Sequence, residues 1–192
     1  MSKAVMLSIR PQWCQKITSG EKTIEVRKTK PKLETPFKCY IYCTRDKHLA
    51  FMQNQTGTNL IACMNVDAAI PVGGAIGNGK VIGEFTCERI APITYDGGRL
   101  WCPTNAAFSP ATCLSQAEII AYIGDKWRCY GWHISDLLIY DQPRELSEFQ
   151  RATDPCDSCH AEYTWECTDC KKFGGNIKRP PQSWCYVDDA NA

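Results

Sequence analysis

Four cysteines near the C-terminal end have the spacing of a metal site. Cys156 and Cys159 form one C-x-x-C pair, Cys167 and Cys170 a second, with seven residues between the pairs. Each pair can turn back on itself so that both sulfurs meet one ion, and two such knuckles satisfy tetrahedral Zn²⁺ with four thiolates. The surrounding stretch is short and polar and could not build a core unaided, so the metal would supply its folding energy. His160 could replace one thiolate. With four protein ligands the site is closed, hence structural rather than catalytic. The plain alternative is four ordinary cysteines in a loop. A redox role fits less well, because neither C-x-x-C opens a helix after a strand.

A second constellation lies near the N-terminus. Lys22, Glu25 and Arg27 fall within six residues, and Arg27-Lys28-Thr29-Lys30-Pro31-Lys32 continues as a basic loop. Alternation along a strand puts Glu25 and Arg27 on one face, with Lys22 just before them. Glu84, on another strong strand, could join them if the two strands approach. Such a group could hold a phosphate, accept from a base amino group, or activate water. On residue chemistry alone a solvated charged face is the plainer reading, and the basic loop reads equally as an exposed hairpin. Tyr40, Tyr42, Trp132 and Trp184 could offer stacking surfaces for a base, although strand aromatics are more often core. His133 stands alone and reads as a satisfied core histidine.

These residues need elements to position them. Residues 4–9 alternate as a strand, with Val5, Leu7 and Ile9 on one face. Pro11 suits the first position of a helix and Gly20 its end, with Trp13 and Ile17 as the apolar stripe. Residues 23–27 alternate strictly, and 37–43 read as a buried strand with Phe37, Cys39, Ile41 and Cys43 sharing a face. Residues 45–79, rich in Gly and Asn, read as a long loop or insertion. The chain from Lys80 to Ile90 is a strong strand. Ser115 with Glu118 forms a capping box for a short helix through Tyr122, and 130–140 and 183–187 make further strands. Strands outnumber helices, which predicts an α+β chain built as a mixed barrel or sandwich with helices at its ends.

Composition bounds the class. The chain has 192 residues, with 44% hydrophobic and 22% charged, which is ordinary globular protein. No apolar run approaches the roughly 20 residues needed to cross a bilayer, and the N-terminus carries no readable secretory leader. The expectation is a cytoplasmic protein without membrane partners, and a protein partner cannot be named. The net charge of +1 conceals an asymmetry: residues 1–49 hold 11 basic and 4 acidic side chains, and the rest balance them. A basic front half attracts anions, but the whole is not basic enough to coat nucleic acid in bulk. Of the 13 cysteines, the nine outside the C-x-x-C pairs read as small hydrophobes rather than a disulfide framework.

The strings Ser8-Ile9-Arg10-Pro11 and Ser19-Gly20-Glu21-Lys22-Thr23-Ile24-Glu25-Val26-Arg27 resemble the ASCH family (activating-signal-cointegrator homology domains). So do residues 36–44, PFKCYIYCT, residues 80–85, KVIGEF, and residues 180–184, PPQSW. The similarity covers most of the chain in pieces, looks most like bacterial and prophage members, and is most specific at G-x-K-T-x-E-x-R. It implies a single domain over 1–192 with a PUA-like mixed β-barrel and short flanking helices. Residues 45–79 and the zinc-binding stretch 154–173 then look like additions to it. The resemblance further implies a cleft, lined by the G-x-K-T segment, that takes RNA or a nucleotide-like ligand.

Some small family members are amidohydrolases that deacylate N4-acetylcytidine with a lysine and a threonine of this segment, plus a glutamate. Lys22 matches the lysine. Glu25 stands where the nucleophilic threonine would be, and the family glutamate lies outside the matching motifs. A hydroxyl can form an acyl ester, whereas a carboxylate would form a labile anhydride or act only as a base on water. The expectation is therefore an RNA- or nucleotide-binding protein, with Lys22, Glu25 and Glu84 as candidate catalytic residues and Arg27, Lys28, Lys30 and Tyr42 as candidate ligand contacts. A hydrolase of acylated nucleosides or a ribonuclease is the first alternative. A protein-interaction module working through the zinc knuckle is the second.

Overall fold

The computed structural model describes residues 3–54, 62–65, 74–96, 99–102, 110–152 and 175–189. The C-x-x-C pairs and His160 lie outside these residues.

The chain opens with β1 (Lys3–Ile9), and Pro11 at the first helical position leads into α1 (Pro11–Thr18). The helix stops before Gly20, whose φ of 77° is accessible to a residue without Cβ. There follow β2 (Ile24–Arg27), β3 (Phe37–Cys43), β4 (Leu49–Asn54), β5 (Ala62–Asn65), β6 (Gly74–Ile76), β7 (Lys80–Asp96) and β8 (Arg99–Trp101). Next come α2 (Gln116–Ile123), β9 (Arg128–Glu145), β10 (Gln150–Arg151), β11 (Gly175–Asn176) and β12 (Trp184–Asp188). The capping box of α2 forms as its sequence predicts: Ser115 Oγ accepts from the Glu118 N–H, and the Glu118 carboxylate accepts from the Ser115 N–H.

Nine strands make one sheet in the order β11-β10-β12-β1-β3-β7-β9-β2, with β8 paired to β7. β1 and β3 run parallel; the other pairs in this sheet are antiparallel. The sheet, expected as a mixed barrel or sandwich, is an open mixed sheet with β2 and β11 at its ends. β2 has only four residues, and its gap to β1 is bridged by a side chain, Arg27, rather than by a ladder. The long antiparallel β7–β9 pair shifts register at three places, and such irregularities bend and twist a strand pair. Gly83 permits their close approach, because a Cβ there would sit 2.4 Å from the Leu138 carbonyl oxygen.

Both faces of the sheet are covered. One core packs α1 against Val5, Leu7, Ile9, Cys39, Ile41, Phe85 and Trp132. On the other face Met6, Tyr40, Tyr42 and Val81 pack with Leu146, Phe149 and Ile177. A third cluster seats Ile119 and Ile123 of α2 on Val26, Ile93 and Cys129. Within 45–79, expected as a loop or insertion, the described residues include a three-stranded sheet, β5-β4-β6. Phe51 anchors it in the first core, and the Asn78 side chain accepts from the Phe51 N–H and donates to the Leu49 carbonyl. Among the described residues no helix is long and apolar enough to cross a membrane.

Candidate functional site

Lys22, Glu25 and Arg27 converge. The turn after α1 is held by the Lys22 N–H on the Lys16 carbonyl, and the strand that follows carries Glu25 and Arg27 into the interior. The three residues are 2%, 7% and 6% exposed, so the solvated-face reading does not hold. Lys22 Nζ lies 3.3 Å from Glu25 Oε2, and Arg27 Nη2 lies 3.1 Å from Glu25 Oε1. The ammonium also donates to the carbonyls of Thr112 (2.7 Å) and Ile24 (3.0 Å), and sits 5.3 Å from the Trp13 ring centroid. Arg27 Nη2 donates to the Ser8 carbonyl at 2.8 Å, and Nη1 reaches the Ser183 carbonyl at 3.3 Å. Arg27 Nε is buried with no hydrogen-bond partner. Desolvation of three charges is offset here by mutual pairing and by carbonyl acceptors.

These residues form one wall of a cavity of about 480 Å³, completed by Trp13, Tyr122, Pro181 and Ser183. That volume falls in the roughly 300–1,000 Å³ range of small-molecule sites. Its lining mixes aromatic rings with a few convergent charges. Burial pushes the Tyr122 phenol upward, with the charge of Arg27 working against it.

The other candidates are placed elsewhere. Glu84 does not join Lys22: its Oε2 accepts from Tyr140 Oη at 2.6 Å and its Oε1 is 3.6 Å from Lys38 Nζ, whose nearer partner is Asp189 at 3.0 Å. Burial and the adjoining carboxylate push the Tyr140 phenol upward. Tyr42 is buried in the second core, on the face shared with Met6 and Val81, and is not a stacking surface. Lys28 and Lys30 line a neighbouring cavity rather than this one. His133 is half-buried, not core, with Arg89 Nη2 3.2 Å from its Nε2. The zinc ligands Cys156, Cys159, Cys167 and Cys170 fall outside the described residues, among which no group of three or more His, Cys, Asp or Glu could hold a metal.

Sequence reasoning missed Trp13 and Tyr122 as cavity walls. Trp13 reads as part of an apolar helix stripe, and nothing local says that the C-terminal turn of α2 covers β2. Residues 180–184 resemble the family motif, but the sequence does not show why: Pro181 and Ser183 line the cavity, and the Ser183 carbonyl accepts from Arg27.

A predominantly β chain with an open mixed sheet and two short helices fits a PUA-like fold. Solved structures narrow it to the ASCH-domain fold. The ASCH protein of Zymomonas mobilis superposes with a TM-score of 0.53 at 17% identity, over 95% of this chain and 86% of that one. A tyrosine-to-phenylalanine variant of the same protein gives 0.52 at 18% identity, over 96% and 90%. A serine-to-alanine variant gives 0.53 at 17%, over 95% and 87%. No family profile matches the sequence, and no curated protein matches it.

Proposed function

We propose that the protein binds RNA or a nucleotide-like ligand in the cavity walled by Lys22, Glu25, Arg27, Trp13 and Tyr122. One observation carries this reading: three charged side chains, each more than nine-tenths buried, line a hollow large enough for a nucleoside. A surface built only for stability has no reason to hold them beside an open hollow. Within it Glu25 accepts from a base amino group and the aromatic rings flank the base. The ASCH-like fold agrees with nucleic-acid-type ligands but does not choose among them.

Titration of labelled single-stranded RNA at low and raised salt tests this. Wild-type protein binds, and Glu25→Gln, which keeps the shape and removes the charge, weakens binding. Absence of binding by the wild type at either salt removes the proposal.

Hydrolysis of an acylated nucleoside is a second reading, favoured by the 3.3 Å Lys22–Glu25 pair, in which a carboxylate at the cavity wall can take a proton from attacking water. Failure to turn over N4-acetylcytidine or RNA would end it. The C-x-x-C pairs are proposed to hold one structural zinc ion. Elemental analysis is expected to find about one zinc per chain, lost on Cys156→Ser; its absence from the wild type refutes the assignment.

A further inference from the structure

Arg27 and Lys28 are consecutive, yet they line different cavities. Beside the first lies a second of about 530 Å³, whose walls include Lys28, Lys30, Lys126, Trp127, Arg128 and Tyr130. Tyr122 is the shared partition: it lines the first cavity, and Lys28 Nζ of the second lies 5.1 Å from its ring centroid. Four cations against one acid, Asp125, make the second cavity strongly positive.

The lining is held in place rather than loosely basic. Trp184 Nε1 donates to Thr29 Oγ1 at 2.9 Å, and the Lys32 N–H donates to Tyr186 Oη at 2.8 Å, so β12 fixes the basic loop. The Trp127 carbonyl accepts from the Tyr95 N–H at 2.7 Å. Arg128 lies 4.4 Å from the Trp127 ring centroid, and the tryptophan is nevertheless 59% exposed. An exposed indole backed by a guanidinium costs solvation and has no core to pack against. Rigid aromatic platforms set among phosphate-binding cations are what an unpaired strand requires, because every base has a face to stack. A duplex hides those faces, and an acidic peptide has none to offer.

We propose that this second cavity is a subsite for nucleotides flanking the one in the first cavity, so that the ligand is a single-stranded nucleic acid segment rather than a free nucleoside. The proposal rests on the reading of the first cavity given above, and the test separates the two. Uridine monophosphate and a uridine oligoribonucleotide of about ten residues are titrated into wild-type, Trp127→Ala, Trp127→Phe, Glu25→Gln and Lys28→Ala/Lys30→Ala protein. Thermal melts confirm that each variant is folded. The oligomer is expected to bind tighter than the monophosphate. Trp127→Ala should weaken the oligomer by about 5- to 150-fold with little effect on the monophosphate, whereas Trp127→Phe retains it. The double lysine variant should make the negative slope of log K against log salt shallower by about 0.7 for each lysine lost.

If the monophosphate binds but the oligomer is no tighter and is indifferent to Trp127→Ala, the subsite is refuted and the first cavity stands. Oligomer binding that needs Trp127 but ignores Glu25→Gln supports the groove and refutes the first cavity. No binding of either probe to the wild type overturns both. Displacement of the oligomer by polyglutamate, equally from wild-type and Trp127→Ala protein, identifies a general anion patch and also overturns the subsite.

Discussion

The ammonium of Lys22 and the carboxylate of Glu25 meet at 3.3 Å in the cavity wall, and the remaining Glu25 oxygen is occupied by Arg27. The pair is unequal. Lys22 has two carbonyl acceptors besides Glu25, whereas Glu25 is the sole carboxylate paired with either cation among the described residues.

That inequality predicts which truncation costs more. Glu25→Ala leaves two buried cations without their counter-charge and should destabilise by about 3–5 kcal/mol. Lys22→Ala leaves Glu25 still paired with Arg27 and takes one donor from the Thr112 and Ile24 carbonyls, at about 1–2 kcal/mol. Urea denaturation of both variants checks the order, and a larger loss for Lys22→Ala contradicts it.

Arg27 joins β2 to β1 and to the segment before β12 through a fork that lysine does not possess. Arg27→Lys keeps the charge but can satisfy only part of the Ser8, Glu25 and Ser183 set, and should cost about 2–4 kcal/mol. Amide exchange should accelerate at Ser8, whose N–H bonds the Ser183 carbonyl at 2.9 Å. Unchanged exchange there would show that the bridge holds nothing.

Glu84 is expected to be silent in binding. Its partners are Tyr140 and Lys38, and it does not line the cavity. In Glu84→Gln the amide oxygen still accepts from Tyr140, and Lys38 keeps Asp189, so stability should change by about 1 kcal/mol or less. RNA affinity should match the wild type. A loss comparable to that of Glu25→Gln would return Glu84 to the site.

His133 gives stability a pH dependence. Burial first, and the charge of Arg89 second, hold its imidazole below the ordinary 6.5, against a pull from Glu88. The unfolded chain therefore binds more protons than the native one between the two values. This contribution is intact above pH 6.5 and is lost as the pH falls through the unfolded value towards the lower folded one. His133→Asn should flatten that part of the decline in urea midpoints below neutrality, and an unaltered decline would show that the imidazole has no share in it.

Much of the strand and helix structure was legible because it is local. Alternation marked β1, β2, β3 and the start of β7, and Ser115 with Glu118 announced α2 by a box that closes within four residues. The strands β7 and β9 run further than their alternation suggests, to Asp96 and Glu145, because backbone ladders continue through register shifts that break the side-chain pattern. In the same way the Gly- and Asn-rich stretch before Lys80 hid three strands, which Phe51 secures by long-range packing.

Local pattern also sufficed to group Lys22, Glu25 and Arg27, since they share one turn and one four-residue strand. It could not say whether their face meets water or protein, and that decided everything about them. Thr112, which takes the Lys22 ammonium, is 90 residues away, and Ser183, which takes Arg27, is 156 away. Period-2 geometry sets the face on which a side chain lies relative to its own strand. Which element covers that face is settled only when distant segments pack, and so the burial of the three charges, the exclusion of Glu84 and the pairing of the two cavities across Tyr122 belong to the tertiary structure alone.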